Sequence, residues 1–293
     1  MLKIENNIAE ACFYTKGAEL CSFKMKDTAT EYIWQGSAQY WNKHSPILFP
    51  IVGSLKDGKY HYNGNIYNLS RHGFARDMEF EVLSHDDNSI SFQLLSDATT
   101  MNIYPFSFQL IIQYTLIDSC LKVEYSVINP STEILYFSIG AHPGFNVPIA
   151  AHLQSSDYNI EINIQSNAPL PLSRYPINQD GLLLNPEPFL DTNPFKAAIH
   201  DNLFQKDAIV LKHIEVATIT ISSSKDARFV TVQYDHFPFL GIWGKPNGNF
   251  VCIEPWQGVA DSVDASGDLT YKEGIIALNP NSKWEQDWSI TIG

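Results

Sequence analysis

A chain of 293 residues with a formal net charge of −13 is a poor partner for nucleic acid or an anionic membrane, since both need a basic footprint. Hydrophobic residues make up 44% and charged residues 17%, enough apolar material for a sizeable core, which excludes disorder as the dominant state. No apolar run nears the ~20 residues of a membrane span, no basic-then-apolar leader opens the chain, and Cys12, Cys21, Cys120 and Cys252 are scattered, so a reduced, cytoplasmic protein is expected.

Short segments of alternating polarity recur from one end of the chain to the other, the pattern of half-buried strands. Segments 58–62 and 65–69 flank Asn63-Gly64, a strong hairpin signal because both turn positions must tolerate positive φ. Strands are expected next over 79–83 and 89–95, and over 108–116 and 121–128 around Asp118-Ser119. Further candidates are 136–139, 158–164, 208–211, 217–222, 229–234, 240–243, 250–253, 274–278 and 288–291. No window of about 12 residues holds a helical apolar period without interruption. Closely spaced strands without helices predict one large all-β sandwich or barrel. Residues 166–200 break the rhythm with six of the sixteen prolines. Leu170, Leu172, Leu182–Leu184 and Phe189 make this stretch too apolar for a tether, so a long loop packed over the sheet and rimming a site is expected.

Three segments carry residues suited to chemistry. His72 lies in Ser70-Arg71-His72-Gly73-Phe74-Ala75-Arg76-Asp77, leaving the hairpin. His142 follows an apolar strand in Gly140-Ala141-His142-Pro143-Gly144, where glycines and proline would hold the imidazole on a rigid, uncluttered loop. Glu254 closes an apolar strand in Phe250-Val251-Cys252-Ile253-Glu254-Pro255-Trp256. A carboxylate there is costly if it faces a dry core, so it faces solvent, pairs with a cation or lines a cleft. Trp256 shares its side of an extended chain, and an acid beside an indole suits the hydroxyls and C–H faces of a sugar. A metal centre of His72, His142 and Glu254 is conceivable by residue type, but no close-spaced ligand pair supports one. Cys252 reads as core. No G-x-S-x-G elbow, phosphate-binding glycine loop or H-E-x-x-H is present.

Together with Pro46-Ile47-Leu48-Phe49-Pro50-Ile51-Val52-Gly53, these segments resemble the aldose 1-epimerase (galactose mutarotase) superfamily, in its LacX-like branch. The resemblance implies a single domain over residues 1–293, folded as a large antiparallel β-supersandwich, that interconverts sugar anomers without metal or organic cofactor. It places the general acid on His142, the general base on Glu254 and a second site histidine, for positioning, on His72. It further suggests Asp207 as a sugar-binding carboxylate, with Asp201 as the competing alignment, and Arg76 as a donor to sugar hydroxyls. The two proton carriers agree with the chemistry, since ring opening needs one base and one acid about the anomeric centre. A nearby carboxylate is expected to raise the His142 pKa and keep it protonated.

One departure stands out. Relatives commonly carry an arginine just after Pro-Ile-Val-Gly, where this chain has Ser54, and a serine lacks that reach and charge; Arg71, Arg76 or Lys56 are the candidates to compensate. The expected partner is a monosaccharide, met by a monomer or weak homodimer. A mutarotase for a phosphorylated hexose would need cations at the site rim. Only 19 Lys+Arg make it less attractive, with Arg71, Arg76 and Lys245 in its favour. A non-catalytic sugar-binding module is the reading that Ser54 favours. A glycoside hydrolase would need a second carboxylate facing Glu254.

Overall fold

The computed structural model describes residues 1–165 and 170–293. Of the proline-rich stretch expected as a loop, 166–169 therefore lie outside the described residues. The architecture is an antiparallel β-sandwich with two large sheets. The first has nine strands, in the order Phe195–Ala198, Tyr158–Ile164, Val216–Ser223, Asp226–Asp235, Lys283–Ile292, Cys120–Ile128, Gln109–Ile117, Ser89–Leu95 and Glu81–His85. Burial alternates strictly along Cys120–Ile128, so Leu121, Val123, Tyr125 and Val127 face the core and a slip of one residue would expose all four.

The second sheet has eight strands. Its path runs Glu187–Leu190, Leu172–Arg174, Ile209–Lys212, Phe239–Trp243, Phe250–Gln257, Ile139–Ala141 and Ile47–Leu48, with Gly144–Asn146 pairing off the path on Phe250–Gln257. Phe250–Gln257 is buried through seven of its eight residues, as expected of a strand covered on both faces. Val251 and Ile253 join the main apolar cluster between the sheets. Trp256, on the opposite face, joins a separate cluster with Leu48, Val52 and Val210. This alternation delivers Glu254 and Trp256 to the outer face of the sheet.

Several elements depart from sequence expectation for identifiable reasons. The strand expected over 79–83 begins at Glu81 because Glu79 bridges to Lys16 and the Phe80 N–H donates to Thr15 O. The strand expected over 136–139 divides at Ser138, whose N–H donates to Pro50 O: Leu135–Phe137 pairs with Ile276–Leu278, and Ile139–Ala141 enters the eight-stranded sheet. The proline-rich stretch is not simply a loop, since Leu172–Arg174, Glu187–Leu190 and Phe195–Ala198 are strands within it. Pro188 is tolerated because Glu187–Leu190 is a sheet edge. A three-stranded sheet of Leu2–Glu5, Ala9–Phe13 and Leu20–Met25 precedes the first expected strand. One short helix, Ala98–Ile103, starts at a capping box in which Asp97 accepts from Thr100 N–H. The Asn63-Gly64 turn has the expected positive φ at both residues, 48° and 77°. No helix of the described residues is long and apolar enough to cross a membrane.

A buried ion pair ties together the loops beneath the site. Lys272 donates to Asp261 Oδ1 at 2.7 Å and to Val259 O at 2.7 Å, while Lys56 N–H donates to the other Asp261 oxygen at 2.9 Å. Burial pushes the Lys272 ammonium down, and Asp261 works against that shift. Asp261→Ala would strand a buried cation, so it is expected to cost about 3–5 kcal/mol of stability, read as a lowered midpoint in chemical denaturation.

Candidate active site

The strand Phe250–Gln257 presents Glu254 opposite Gly241 and Trp256 opposite Gly140. Both glycines are needed by the indole: a Cβ on Gly140 would sit 2.6 Å from Trp256 Cδ1, and one on Gly241 would overlap the far ring. Trp256 thus lies flat across two neighbouring strands, almost wholly buried, as the floor of a cavity of about 550 Å³. That volume falls within the range of about 300–1,000 Å³ usual for small-molecule sites.

His142 stands at one end of this floor. Its Nε2 is 3.2 Å from Glu254 Oε2, so the two groups expected to act as acid and base touch each other directly. Its ring is clamped in place, stacked on Trp41 with centroids 4.8 Å apart and met edge-on by Trp243 at 5.8 Å. Gly144 makes room for Trp41, since a Cβ there would lie 2.7 Å from the indole.

His72 meets His142 edge to face at 5.6 Å in an unusual backbone conformation, with φ of +68°, a region that costs a residue with a side chain. Gly53 compensates: its O accepts from His72 N–H at 2.9 Å, and its N–H donates to His72 Nδ1 at 3.1 Å. Because Nδ1 accepts, the ring proton of the neutral imidazole is on Nε2, a fixed donor. Burial, then the nearby His142, Arg76 and Arg71, hold the His72 pKa well below the usual histidine value and keep it neutral.

The electrostatics of the central pair differ from expectation. Burial raises the Glu254 carboxyl well above the ordinary carboxylate range, an effect opposed by the Trp256 indole N–H and reinforced by Asp207. Burial likewise lowers His142, to about 3, rather than the neighbouring acid raising it. The cause is burial at each group, which disfavours either charge. Both shifts run toward a neutral acid beside a neutral imidazole, one proton on the pair in all, and Glu254 Oε2, 3.2 Å from His142 Nε2, is left without a hydrogen-bond partner.

The remaining candidates separate cleanly. Asp207 lines the cavity, whereas Asp201 accepts from Asn247 N–H at 3.1 Å and supports a turn. Arg76 lines the cavity, but its Nη2 donates to Arg71 O at 2.9 Å while its Nε is buried without a hydrogen-bond partner. Lys56 is tied to Asp261 and Ala265 O. Ser54 accepts from Arg71 Nε at 2.8 Å. Trp41, Trp243, Phe204 and Val210 also line the cavity and were not singled out from the sequence; the signal for Trp41 was a Tyr-Trp pair inside an otherwise polar segment. Among the described residues, His142, Cys252 and Glu254 bring potential metal donors within 4.8 Å of one another. Cys252 is fully buried, and its thiol pKa is raised well above the ordinary value by that burial and by Glu254, which favours the thiol over the ligating thiolate.

The family model for aldose 1-epimerase matches residues 1–277. The chain is 32% identical over 300 residues to the plasmid and chromosomal forms of Protein LacX from Lactococcus lactis subsp. lactis, with 99% of each chain covered. Among solved structures it is similar to a galactose mutarotase related enzyme from Lactobacillus acidophilus, with a TM-score of 0.93 and 35% identity over 99% of this chain and 96% of that one. A galactose mutarotase-like protein from Lactobacillus casei ATCC 334 follows, with a TM-score of 0.91 and 29% identity over 100% of both chains.

Proposed function

The chain belongs to the aldose 1-epimerase family, and we propose that it is an isomerase interconverting the α and β anomers of a monosaccharide whose anomeric hydroxyl is free. The observation that carries this reading is the contact between His142 and Glu254 on the cavity floor. A lone carboxylate there would suit binding; a carboxyl in contact with an imidazole suits proton transfer in both directions.

Glu254 acts as base and His142 as acid. When the sugar binds, the proton of the pair moves from Glu254 to His142, leaving Glu254 ionised. Glu254 takes the proton of the anomeric hydroxyl, the C1–O5 bond breaks with its electron pair going to O5, and His142 protonates that oxygen. The product is the open-chain aldehyde beside a neutral acid and a neutral imidazole, the state that burial favours. Rotation about C1–C2 turns the other carbonyl face toward the ring oxygen, and the same transfers in reverse close the ring. The pair ends with the one proton it began with. His72 Nε2–H holds a ring or ring-adjacent oxygen in register, Asp207 and Arg76 take hydroxyls, and Trp256 covers C–H surface. The protein acts in the cytoplasm as a monomer or weak homodimer and engages neither nucleic acid nor membrane.

Polarimetry of fresh α-glucose and α-galactose, with spontaneous mutarotation subtracted, tests this; calorimetric binding of sugar without accelerated anomerisation would instead support a sugar-binding module. The pH profile is a second expected result. The groups facing the pair are His72, held neutral, the buried Cys252 thiol, Arg76 and Asp207. Activity requires one proton on the pair, and a second can add only as pH falls toward the His142 value of about 3. The ratio kcat/KM should therefore stay flat from about pH 7 to about pH 5. An acid limb centred near the ordinary histidine value of about 6.5 would contradict a buried pair that carries one proton.

A further inference from the structure

Ser54, next to the cavity-lining Gly53, meets a guanidinium from another segment. Arg71 donates from Nε to Ser54 Oγ at 2.8 Å. Gly181, which lines the same cavity, lies against it. A Cβ at Gly181 would overlap Arg71 Nη2 and approach Ser54 Oγ to 2.5 Å, so the guanidinium has room only because residue 181 carries no side chain. The Gly181 loop is itself fixed: Asn178 O accepts from Gly181 N–H and Asn178 Oδ1 from Leu182 N–H, each at 2.9 Å, and Leu183 N–H donates to Asp261 O. From below, Arg76 Nη2 holds the Arg71 carbonyl. Three separated stretches of chain thus immobilise one planar cation at the cavity wall.

This cation has no acidic partner. Arg174 pairs with Glu187, Arg228 with Asp226 at 2.9 Å, and Arg76 lies 3.6 Å from Asp77. Among the described residues, no carboxylate stands within 4.0 Å of Arg71, nor of Lys245 on the same cavity. The cavity wall therefore carries three cations, Arg71, Arg76 and Lys245, against Asp207 and a Glu254 whose burial favours the neutral acid, in a protein of net charge −13. A local reversal of sign with an unpaired guanidinium fork is the arrangement that recognises a phosphate or carboxylate.

Resting on the proposed anomerase activity, we propose that Arg71, set against Ser54 and Gly181, is a specificity-determining residue that binds an anionic substituent of the sugar, a phosphate or a carboxylate. The test compares glucose 6-phosphate, glucuronate and glucose by polarimetry, in wild type, Arg71→Ala, Arg71→Lys and Gly181→Ala. Wild type is expected to favour at least one anionic sugar over glucose in kcat/KM, and whichever wins identifies the substituent. Arg71→Ala should lower that preference by about 10–100-fold, the worth of a charge-assisted contact, mainly through KM. Arg71→Lys should fall between, keeping charge but losing the fork. Gly181→Ala, which displaces the guanidinium without removing it, should act in the same direction as Arg71→Ala. Equal effects of Arg71→Ala on glucose and on the anionic sugars, or no preference in wild type, would overturn the proposal. If no sugar is anomerised, the activity reading fails, and calorimetry of glucose 6-phosphate and glucuronate against wild type and Arg71→Ala still decides whether Arg71 binds the anion.

Discussion

Glu254→Gln is expected to lower kcat for anomerisation by roughly 10²–10⁴-fold, the usual contribution of general acid–base catalysis, with KM changed little. Glutamine keeps the shape of the side chain and its acceptor oxygen, so the packing on Cys252, Gly241 and Trp256 is preserved, but its amide cannot take the anomeric proton. It also removes the titratable half of a pair buried to within 1% of full enclosure at Glu254, so stability should hold or rise, because a desolvated ionisable group is replaced by a neutral one. Polarimetry gives the rate and thermal unfolding the control. A variant that turns over at near wild-type speed would remove Glu254 from the base role, whatever its position in the cavity.

Much of the sandwich was legible because its strands alternate. Segment 158–164 reads off the sequence without error, and 120–128 nearly so, since every second residue is apolar and a polar turn stands at each end. What escaped has physical causes. Ala9–Phe13 and Leu20–Met25 are buried on both faces over most of their length, which erases the period of two. Phe250–Gln257 was cut short at Ile253 because a glutamate, a proline and a tryptophan look like a strand end; here they are the strand, with its outer face turned to the cavity. Glu187–Leu190 is an edge strand carrying proline, and Leu172–Arg174, paired beside it, is a three-residue strand preceded by proline; local sequence cannot separate those from loop.

The candidate site was legible as a set of residue types and illegible as electrostatics. That a carboxyl, two imidazoles and an indole belong together could be argued from three short segments. That His142 and Glu254 would lie in contact, and that burial would push their pKa values toward neutrality of both groups, depends on Trp41, Trp243 and Phe250 enclosing them, residues more than 100 apart along the chain at the extremes. The Ser54 departure is instructive in the same way. In sequence it reads as a missing cation; in space its hydroxyl accepts from the guanidinium of Arg71, 17 residues away.

His142→Asn should cost a similar 10²–10⁴-fold in kcat, and the informative measurement is its combination with Glu254→Gln. If the two side chains were independent acid and base, their losses would multiply. They lie 3.2 Å apart, and the proposed ring opening takes a proton onto Glu254 as it gives one from His142, so either single change already stops the cycle. The double variant is therefore expected to be no more than about tenfold slower than the poorer single variant, as for other catalytic groups that act as a unit. Asparagine leaves a gap against Trp41, which stacks on the imidazole, so unfolding midpoints must accompany the rates to separate lost chemistry from lost packing. Losses that multiply in a folded double variant would mean two separate proton carriers, each with its own titration, and the flat profile between about pH 5 and pH 7 would then have to give way to two resolved limbs.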